Sequence, residues 1–201
     1  MVMAAADCTD LPLFPLSNVL FPGGTLRLRI FEPRYLDLVR ECSREGRGFG
    51  VCLIIEGAEV GEPATPAAIG TIAHITDFYT LDQGLLGITA EGRNRFHVER
   101  TRVRDNGLVR GDIRAWDEER TIAVPAEFGL LPTILDRLLG QMNLPARHAD
   151  RSCFDDASWV GFRMAELLPL AAGERQHLLE IVDPLQRLAL LRDALPRFQR
   201  E

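Results

Sequence analysis

FPGGTLRLRIFEPRY, residues 21–35, contains the signals for a turn, a strand, a corner and the start of a helix. The Pro-Gly-Gly sequence at 22–24 predicts the turn, because proline restricts φ and glycine tolerates positive φ. From Thr25 to Phe31 apolar and polar residues alternate, which is typical of a strand with one buried face. Phe31 is the exception, since it is an aromatic residue on the polar face.

The same stretch ends with a helix start. Pro33 suits the first helical position, where the missing N–H has no intrahelical partner, and this places Glu32 at the N-cap. A carboxylate there meets the positive end of the helix dipole. Apolar residues at 35, 38, 39 and 42 form one stripe and Gly46 ends the pattern, so we predict a helix from Pro33 to about residue 45.

Strand patterns dominate the chain up to residue 120. The apolar run at 49–55 predicts a strand buried on both faces, and the proline-containing segment 11–16 predicts a strand at a sheet edge. Asn106-Gly107 predicts a type I′ hairpin turn. Further strands are predicted at 70–79, 85–89, 95–104 and 108–116. Residues 10–120 therefore predict a β-rich domain with one helix, built on a strongly bent sheet or barrel.

Helical patterns dominate the rest of the chain, from about residue 126. Leucines at 131, 135, 138 and 139 lie on one helical face, and a polar loop follows at 143–156. Ser158 is expected to cap a second helix, residues 174–181 form a third, and Asp183-Pro184 starts a fourth. Residues 121–201 therefore predict a helical subdomain, and the fold class is α+β.

Composition narrows the possible functions. The net charge of −6 argues against general electrostatic binding to nucleic acid or to a membrane, and no apolar run is long enough to span one. We therefore expect a soluble, cytoplasmic protein. All 23 basic residues are arginine, because the chain contains no lysine. This excludes a Walker-type phosphate loop, a lysine Schiff base and a Ser-Lys catalytic dyad.

Several of these segments resemble one family. LPLFPLSNVLFPGGTLRLRIFEPRYLDLV, FGVCLI, GTIAHI and EGRNRFHVER resemble the N-terminal substrate-binding domain of Lon proteases. WVGFRMAELLPLAAGERQHLLEIVDPLQRLALL is similar to the helices that follow in that family. The resemblance implies a β-rich, PUA-like pseudo-barrel followed by helices. It also implies a non-catalytic module without a cofactor that recognises unfolded or degron-bearing protein segments, or a separate protein partner.

The resemblance also predicts what this chain lacks. Lon proteases carry an ATPase domain and a Ser-Lys protease domain after the substrate-binding module. This sequence stops at Glu201 and contains no lysine. We therefore expect a stand-alone domain that neither hydrolyses ATP nor cleaves peptides.

Peptide recognition requires exposed apolar side chains rather than reactive groups. Four aromatic residues near the proline-containing turns could supply them: Phe14, Phe21, Phe31 and Tyr35. The alternative is that they are core residues that fasten the helix onto the sheet.

RNA binding is a second hypothesis. Between residues 91 and 114 seven arginines outnumber four acidic residues, which gives a local charge of 7 − 4 = +3. The candidate contacts are Arg93, Arg95, Arg100, Arg102 and Arg104. RNA recognition also needs exposed aromatic residues, and only Phe96 and Trp116 are near. The alternative is a charged strand face that discourages edge pairing.

An unrecognised hydrolase using Cys52 and His74 is a third hypothesis. Cys52 lies in the most apolar strand, where burial raises the pKa of a thiol and makes a nucleophilic role unfavourable. A metal site is not expected either, because none of the four histidines has another within four residues. They are His74, His97, His148 and His177, and the cluster of His148, Asp150 and Cys153 is only a loose match to the spacing of metal ligands.

Overall fold

The structure is a computed structural model and describes residues 8–142 and 150–198. The chain divides into two compact units, the first ending at Glu118 and the second beginning at Glu119. The first is β-rich with one α-helix and the second is helical. The predicted α+β class is confirmed. No helix among the described residues is long and apolar enough to cross a membrane.

The first unit is built on one sheet of six strands. Its elements are β1 (Cys8–Leu16), β2 (Thr25–Ile30), α1 (Pro33–Glu45), β3 (Phe49–Glu56), β4 (Thr65–Thr80), β5 (Leu86–Val103) and β6 (Val109–Ala115). The strand order is β2-β5-β4-β3-β1-β6, and β5 pairs additionally with β6. The first half of β5 pairs with β2 and β4, and its second half pairs with β6. The sheet is therefore strongly bent, without being a closed barrel.

The stretch 21–35 folds as its sequence predicts. Strand β2 is followed directly by α1, with Glu32 at the N-cap and a proline in the first turn. Gly46 ends the helix in the left-handed conformation at φ 63°, which glycine adopts without a steric penalty. The apolar stripe of α1 is buried against the sheet.

The prediction that residues 11–16 form an edge strand is wrong. Strand β1 lies between β3, to which it is parallel, and β6, to which it is antiparallel. The ladder with β6 ends at Pro12 and the ladder with β3 begins at Leu13, so each half of β1 is paired on one side only. The prolines at 12 and 15 are tolerated because a strand paired on one side leaves its other edge without ladder hydrogen bonds.

Two predicted strands are a single one, and one predicted turn has another geometry. The strands predicted at 85–89 and 95–104 are both parts of the 18-residue strand β5, which begins at Leu86 and ends at Val103. The hairpin between β5 and β6 is confirmed, with Arg104 N–H donating to Leu108 O at 2.9 Å. Its turn is not type I′, because Gly107 has positive φ and Asn106 does not.

The core of the first unit lies between α1 and the sheet. Tyr35 of the helix stacks on Phe14 of β1, with ring centroids 3.9 Å apart. A second cluster forms around the fully buried Phe96. A Cβ at Gly50 or Gly70 would lie 2.7 or 2.8 Å from the Phe96 ring, so both positions require glycine for this close packing.

The second unit contains helices α2 (Leu130–Met142), α3 (Ala157–Leu167), α4 (Ala172–Glu180) and α5 (Pro184–Ala194). Asp183 caps α5 as predicted, its side chain accepting from Leu185 N–H at 2.9 Å. The expectation that Ser158 caps α3 is wrong. Asp156 is the N-cap and accepts from Ser158 N–H at 3.1 Å, and a carboxylate at this position is also favoured by the helix dipole.

Candidate peptide-binding surface

The four aromatic residues predicted as peptide contacts have different environments. Phe14, Phe21 and Tyr35 are buried in the first unit, where Phe14 and Tyr35 stack on each other. Phe31 is 50% exposed. Of the four, Phe31 alone is positioned to contact a partner without unfolding of the core.

Phe31 lies at the corner between β2 and α1, and the buried Arg34 holds this corner. Arg34 forms an ion pair with Glu32 at 3.0 Å, and its guanidinium lies 4.7 Å from the centre of the Tyr35 ring. It also donates to Gly107 O at 3.4 Å, in the hairpin between β5 and β6. These charged contacts tie the start of α1 to the hairpin between β5 and β6, so they fix the backbone that directly follows Phe31.

Strand register places further apolar residues at the same end of the sheet. Ile30 lies opposite Leu86 of β5, and Phe78 of β4 lies opposite Ile88 of β5. Directly opposite residues point to the same face of a sheet. Ile30 and Ile88 are fully covered, Leu86 is half-buried, and Phe78 is 51% exposed.

The face of the sheet that α1 covers therefore extends beyond the helix, and this part of the face is exposed to solvent. Four partly exposed apolar residues lie on this face, Leu26, Ile75, Phe78 and Leu86. Together with the exposed Phe31, which follows β2 at the corner, they are named the apolar margin. An exposed apolar surface next to a packed core is typical of a protein interaction site. Sequence reasoning missed Phe78. The pair Phe78-Tyr79 offers an aromatic residue to each face of β4, and only the cross-strand register shows which face is the core.

The arginines proposed as RNA contacts are mostly engaged within the fold. Arg102 forms ion pairs with Asp112 at 2.6 Å and with Asp10 at 3.2 Å, and Arg104 pairs with Asp10 at 2.7 Å. Arg93 pairs with Glu91 at 3.0 Å. Burial of Asp10 acts against its ionisation, but hydrogen bonds from Arg104 and Arg102 outweigh it and lower the pKa of the carboxyl.

Arg95 and the nearby aromatic residues do not form an exposed stacking surface. Arg95 is buried, and its guanidinium lies 4.5 Å from the centre of the Trp116 ring. Phe96 is fully buried. Arg100 is exposed. RNA bases stack on exposed aromatic rings, so this arrangement lacks the main feature that the RNA hypothesis requires.

The described residues also give no support to the cysteine and histidine hypotheses. Burial raises the pKa of Cys52 to about 12, so its thiol stays protonated at neutral pH. Burial and the nearby Arg93 lower the pKa of His74. Within residues 8–142 and 150–198, no group of three His, Cys, Asp or Glu side chains could hold a metal ion. His148 lies outside the described residues.

The helical unit contains an apolar recess of about 420 Å³ that the sequence did not indicate. It opens between α4, α5 and the short 3₁₀ turn Leu195–Phe198. The Glu174–Arg197 ion pair, with 2.6 Å between charged atoms, lies on its wall. Its apolar lining consists of Leu170, Leu178, Leu190, Leu191 and Ala194.

Comparison with known proteins indicates one family, and the family model and the related Lon proteases agree on it. The model of the ATP-dependent protease La (LON) substrate-binding domain matches residues 10–197. The Lon protease of Anaeromyxobacter dehalogenans is 26% identical over 199 residues, which cover 93% of this chain and 23% of that protease. Protein cereblon of Danio rerio is 29% identical over 115 residues, covering 54% of this chain and 26% of cereblon. The chain thus spans 23% to 26% of the length of these relatives.

Solved structures agree with this family. A Lon N-terminal domain protein from Xanthomonas campestris is 46% identical and superposes with a TM-score of 0.78, over 92% of this chain and 98% of that chain. The N-terminal domain of the Mycobacterium avium complex Lon protease is 18% identical, with a TM-score of 0.61 over 92% of this chain and 96% of that chain. The second similarity shows a shared fold.

Proposed function

Because this chain belongs to the family of Lon substrate-binding domains, we propose that it binds exposed apolar segments of unfolded or degron-bearing polypeptides through the apolar margin. Such recognition requires no cofactor and no reactive side chain. The role is therefore binding rather than catalysis, and the module acts in the cytoplasm. Any catalytic step on the bound polypeptide is carried out elsewhere.

The observation that supports this proposal most directly is the exposure of Phe31 and Phe78 at one end of the sheet. Phe31 is 50% exposed and follows the core residue Ile30, and Phe78 is 51% exposed and lies opposite the core residue Ile88. A phenylalanine side chain buries about 150–250 Å² when it is fully covered, so covering the exposed half of one ring removes about 100 Å² from water. At about 25 cal/mol per Å² this corresponds to roughly 2.5 kcal/mol for each ring. Ordering of both partners reduces the net gain.

A binding measurement on matched variants tests the proposal. The chain is titrated against a fluorescently labelled, reduced and carboxymethylated protein that cannot fold, and anisotropy is recorded. The double variant Phe31→Ser/Phe78→Ser is expected to bind about 30-fold to 140-fold more weakly, if each ring contributes roughly 1–1.5 kcal/mol net. Both residues are exposed, so the thermal midpoint is expected to change little.

The control is Val103→Ser, because Val103 is 56% exposed in the same unit, at the end of β5 that pairs with β6. It is expected to bind as the wild type does. A wild-type chain that fails to bind the unfolded protein would refute the function. Equal affinities of the double variant and the wild type would refute the assigned surface.

A further inference from the structure

Strand β2 forms an open edge of the sheet. In the described part of the chain it pairs with β5 alone, whereas β6, at the other end of the strand order, pairs with both β1 and β5. An unpaired strand edge presents a row of N–H and C=O groups that another extended chain can bind. Proteins that recognise peptides by strand addition use such an edge.

The hydrogen-bonding pattern of the ladder identifies which residues of β2 face outward. Gly92 N–H donates to Gly24 O at 2.8 Å, at the start of the β2–β5 ladder. Hydrogen-bonded and non-hydrogen-bonded pairs alternate along an antiparallel ladder. The backbone groups of the even-numbered residues 26, 28 and 30 therefore face β5. Those of Thr25, Arg27 and Arg29 face away from it.

The side chains of the outward-facing residues carry positive charge. Arg27 and Arg29 are exposed, on the face of β2 opposite the core. Neither forms an ion pair with any residue in the two described segments of the chain. The nearest acidic residue in the register on that face, Glu91 of β5, is opposite Thr25 and is already paired with Arg93. Within the described residues, the edge thus combines backbone groups that have no ladder partner with two cations that have no carboxylate partner.

We propose that the β2 edge binds an extended polypeptide segment of alternating acidic and apolar residues as an additional antiparallel strand. This inference rests on the proposed function and names the class of segment that is recognised. The acidic side chains lie opposite Arg27 and Arg29. The apolar side chains point to the core face, where they extend the surface of Leu26, Leu28 and Ile30.

Charge selects this occupant over a second copy of the same strand. In a symmetric antiparallel pair of two β2 strands centred on Leu28, Arg27 of each copy lies opposite Arg29 of the other. Like charges directly opposite each other destabilise a strand pair, and cationic side chains on an edge discourage self-pairing. Acidic side chains opposite Arg27 and Arg29 are attracted to these arginines instead. The β2 edge is therefore expected to bind an acidic strand in preference to a second copy of β2.

Three synthetic octapeptides test the segment class: alternating Val–Glu, a scrambled isomer of the same composition, and alternating Val–Arg. The alternating Val–Glu peptide is expected to bind at least tenfold more tightly than the other two, with an affinity that falls as salt rises. Equal binding of the alternating and scrambled peptides would overturn the inference. Stronger binding of a single-stranded RNA oligonucleotide, or dimerisation through β2 in sedimentation, would overturn it as well.

Backbone methylation of the peptide tests the geometry without changing the protein. In the proposed antiparallel strand, the N–H groups of the glutamates point to β2 and those of the valines point away. N-methylation of the two central glutamates is expected to abolish binding, because it removes these donors. N-methylation of the two central valines is expected to leave the affinity within a few-fold. The opposite result, or no difference between the two peptides, contradicts the proposed strand.

Charge reversal in the protein provides a test by gain of binding. Arg27→Glu/Arg29→Glu is expected to prefer the alternating Val–Arg peptide at least tenfold. The control Arg40→Glu/Arg44→Glu makes the same charge change on two exposed arginines of α1 and should keep the wild-type preference.

If the wild type binds unfolded protein but shows no preference among the peptides, this inference fails and the proposed function stands. If peptide preference is seen without binding to unfolded protein, the proposed function fails alone.

Discussion

Replacement of Arg187 by alanine is expected to destabilise the helical unit strongly. The Arg187 side chain is fully buried, and it holds Glu119 through two hydrogen bonds of 3.0 and 2.6 Å. It also donates to Leu178 O at 3.0 Å and to Ile181 O at 2.5 Å. Its guanidinium lies 3.9 Å from the centre of the Phe162 ring. Alanine would leave a buried carboxylate and two buried carbonyls without these donors.

The expected loss follows from the burial of this ion pair. Removing one partner of a buried pair costs about 3–5 kcal/mol, because the remaining charge is left uncompensated. The urea dependence of unfolding for a unit of this size is about 1.5 kcal/mol per M, so the unfolding midpoint should fall by about 2–3 M. This loss approaches the entire stability of many domains, which is about 5–15 kcal/mol.

The two tryptophans allow the units to be followed separately. Trp116 belongs to the first unit and Trp159 to the second. In a Trp116→Phe background, urea unfolding followed by fluorescence reports on the helical unit. The matched control is Arg192→Ala, because Arg192 is on the same helix with a 43% exposed side chain and an exposed ion pair. It should lose no more than about 1 kcal/mol.

A loss below about 1 kcal/mol for Arg187→Ala would refute the reasoning, since it would mean that the buried pair contributes no more than an exposed one. The double variant Glu119→Gln/Arg187→Met is expected to recover part of the lost stability, because replacing both partners removes the uncompensated charge.

Two further predictions follow from the shifted pKa values. Burial raises the pKa of the Cys42 and Cys52 thiols to about 11 and about 12, so both should resist a thiolate-specific reagent at pH 8 and react only after denaturation, as counted by mass spectrometry. Because the unfolded thiols ionise near pH 8.5, about the ordinary cysteine value, this contribution to stability is complete below that pH and decreases above it. The hydrogen bonds from Arg197 lower the pKa of Glu174 to about 2. Its stabilising contribution is present above the ordinary value of 4.5 and lost as the pH falls towards 2. An NMR titration should show this pKa rising towards 4.5 in Arg197→Ala, and an unchanged pKa would contradict the assignment.

The helices and strands whose ends are set by residues adjacent in the sequence were predictable from the sequence alone. The alternation at 25–30, Pro33 in the first turn and Gly46 after the last turn were sufficient to place β2 and α1 correctly. The Asp183-Pro184 start of α5 is a signal of the same kind. Proline and glycine act on their own φ angles and an N-cap acts on the next two or three N–H groups, so these signals need no distant partner.

Pairing of distant strands was not predictable in the same way. The sequence of β1 carries two prolines that favour an edge, yet β3 and β6 each pair with a different half of this strand. The buried Arg187 was not foreseen either, because arginine is ordinarily a surface residue and its partner Glu119 is 68 residues away. Only the folded chain brings such groups together.

The same distinction, between what the sequence predicts and what only the fold decides, applies to the candidate site. The sequence alone determined that Phe31 breaks the polar pattern of β2, and it supplied the family resemblance. The tertiary structure decided that Phe14, Phe21 and Tyr35 are core residues, that Phe31 is exposed, and that Phe78 lies at the same end of the sheet. The reason is physical: alternation along a strand separates two faces, but the strands and helices packed against each face determine which one water reaches.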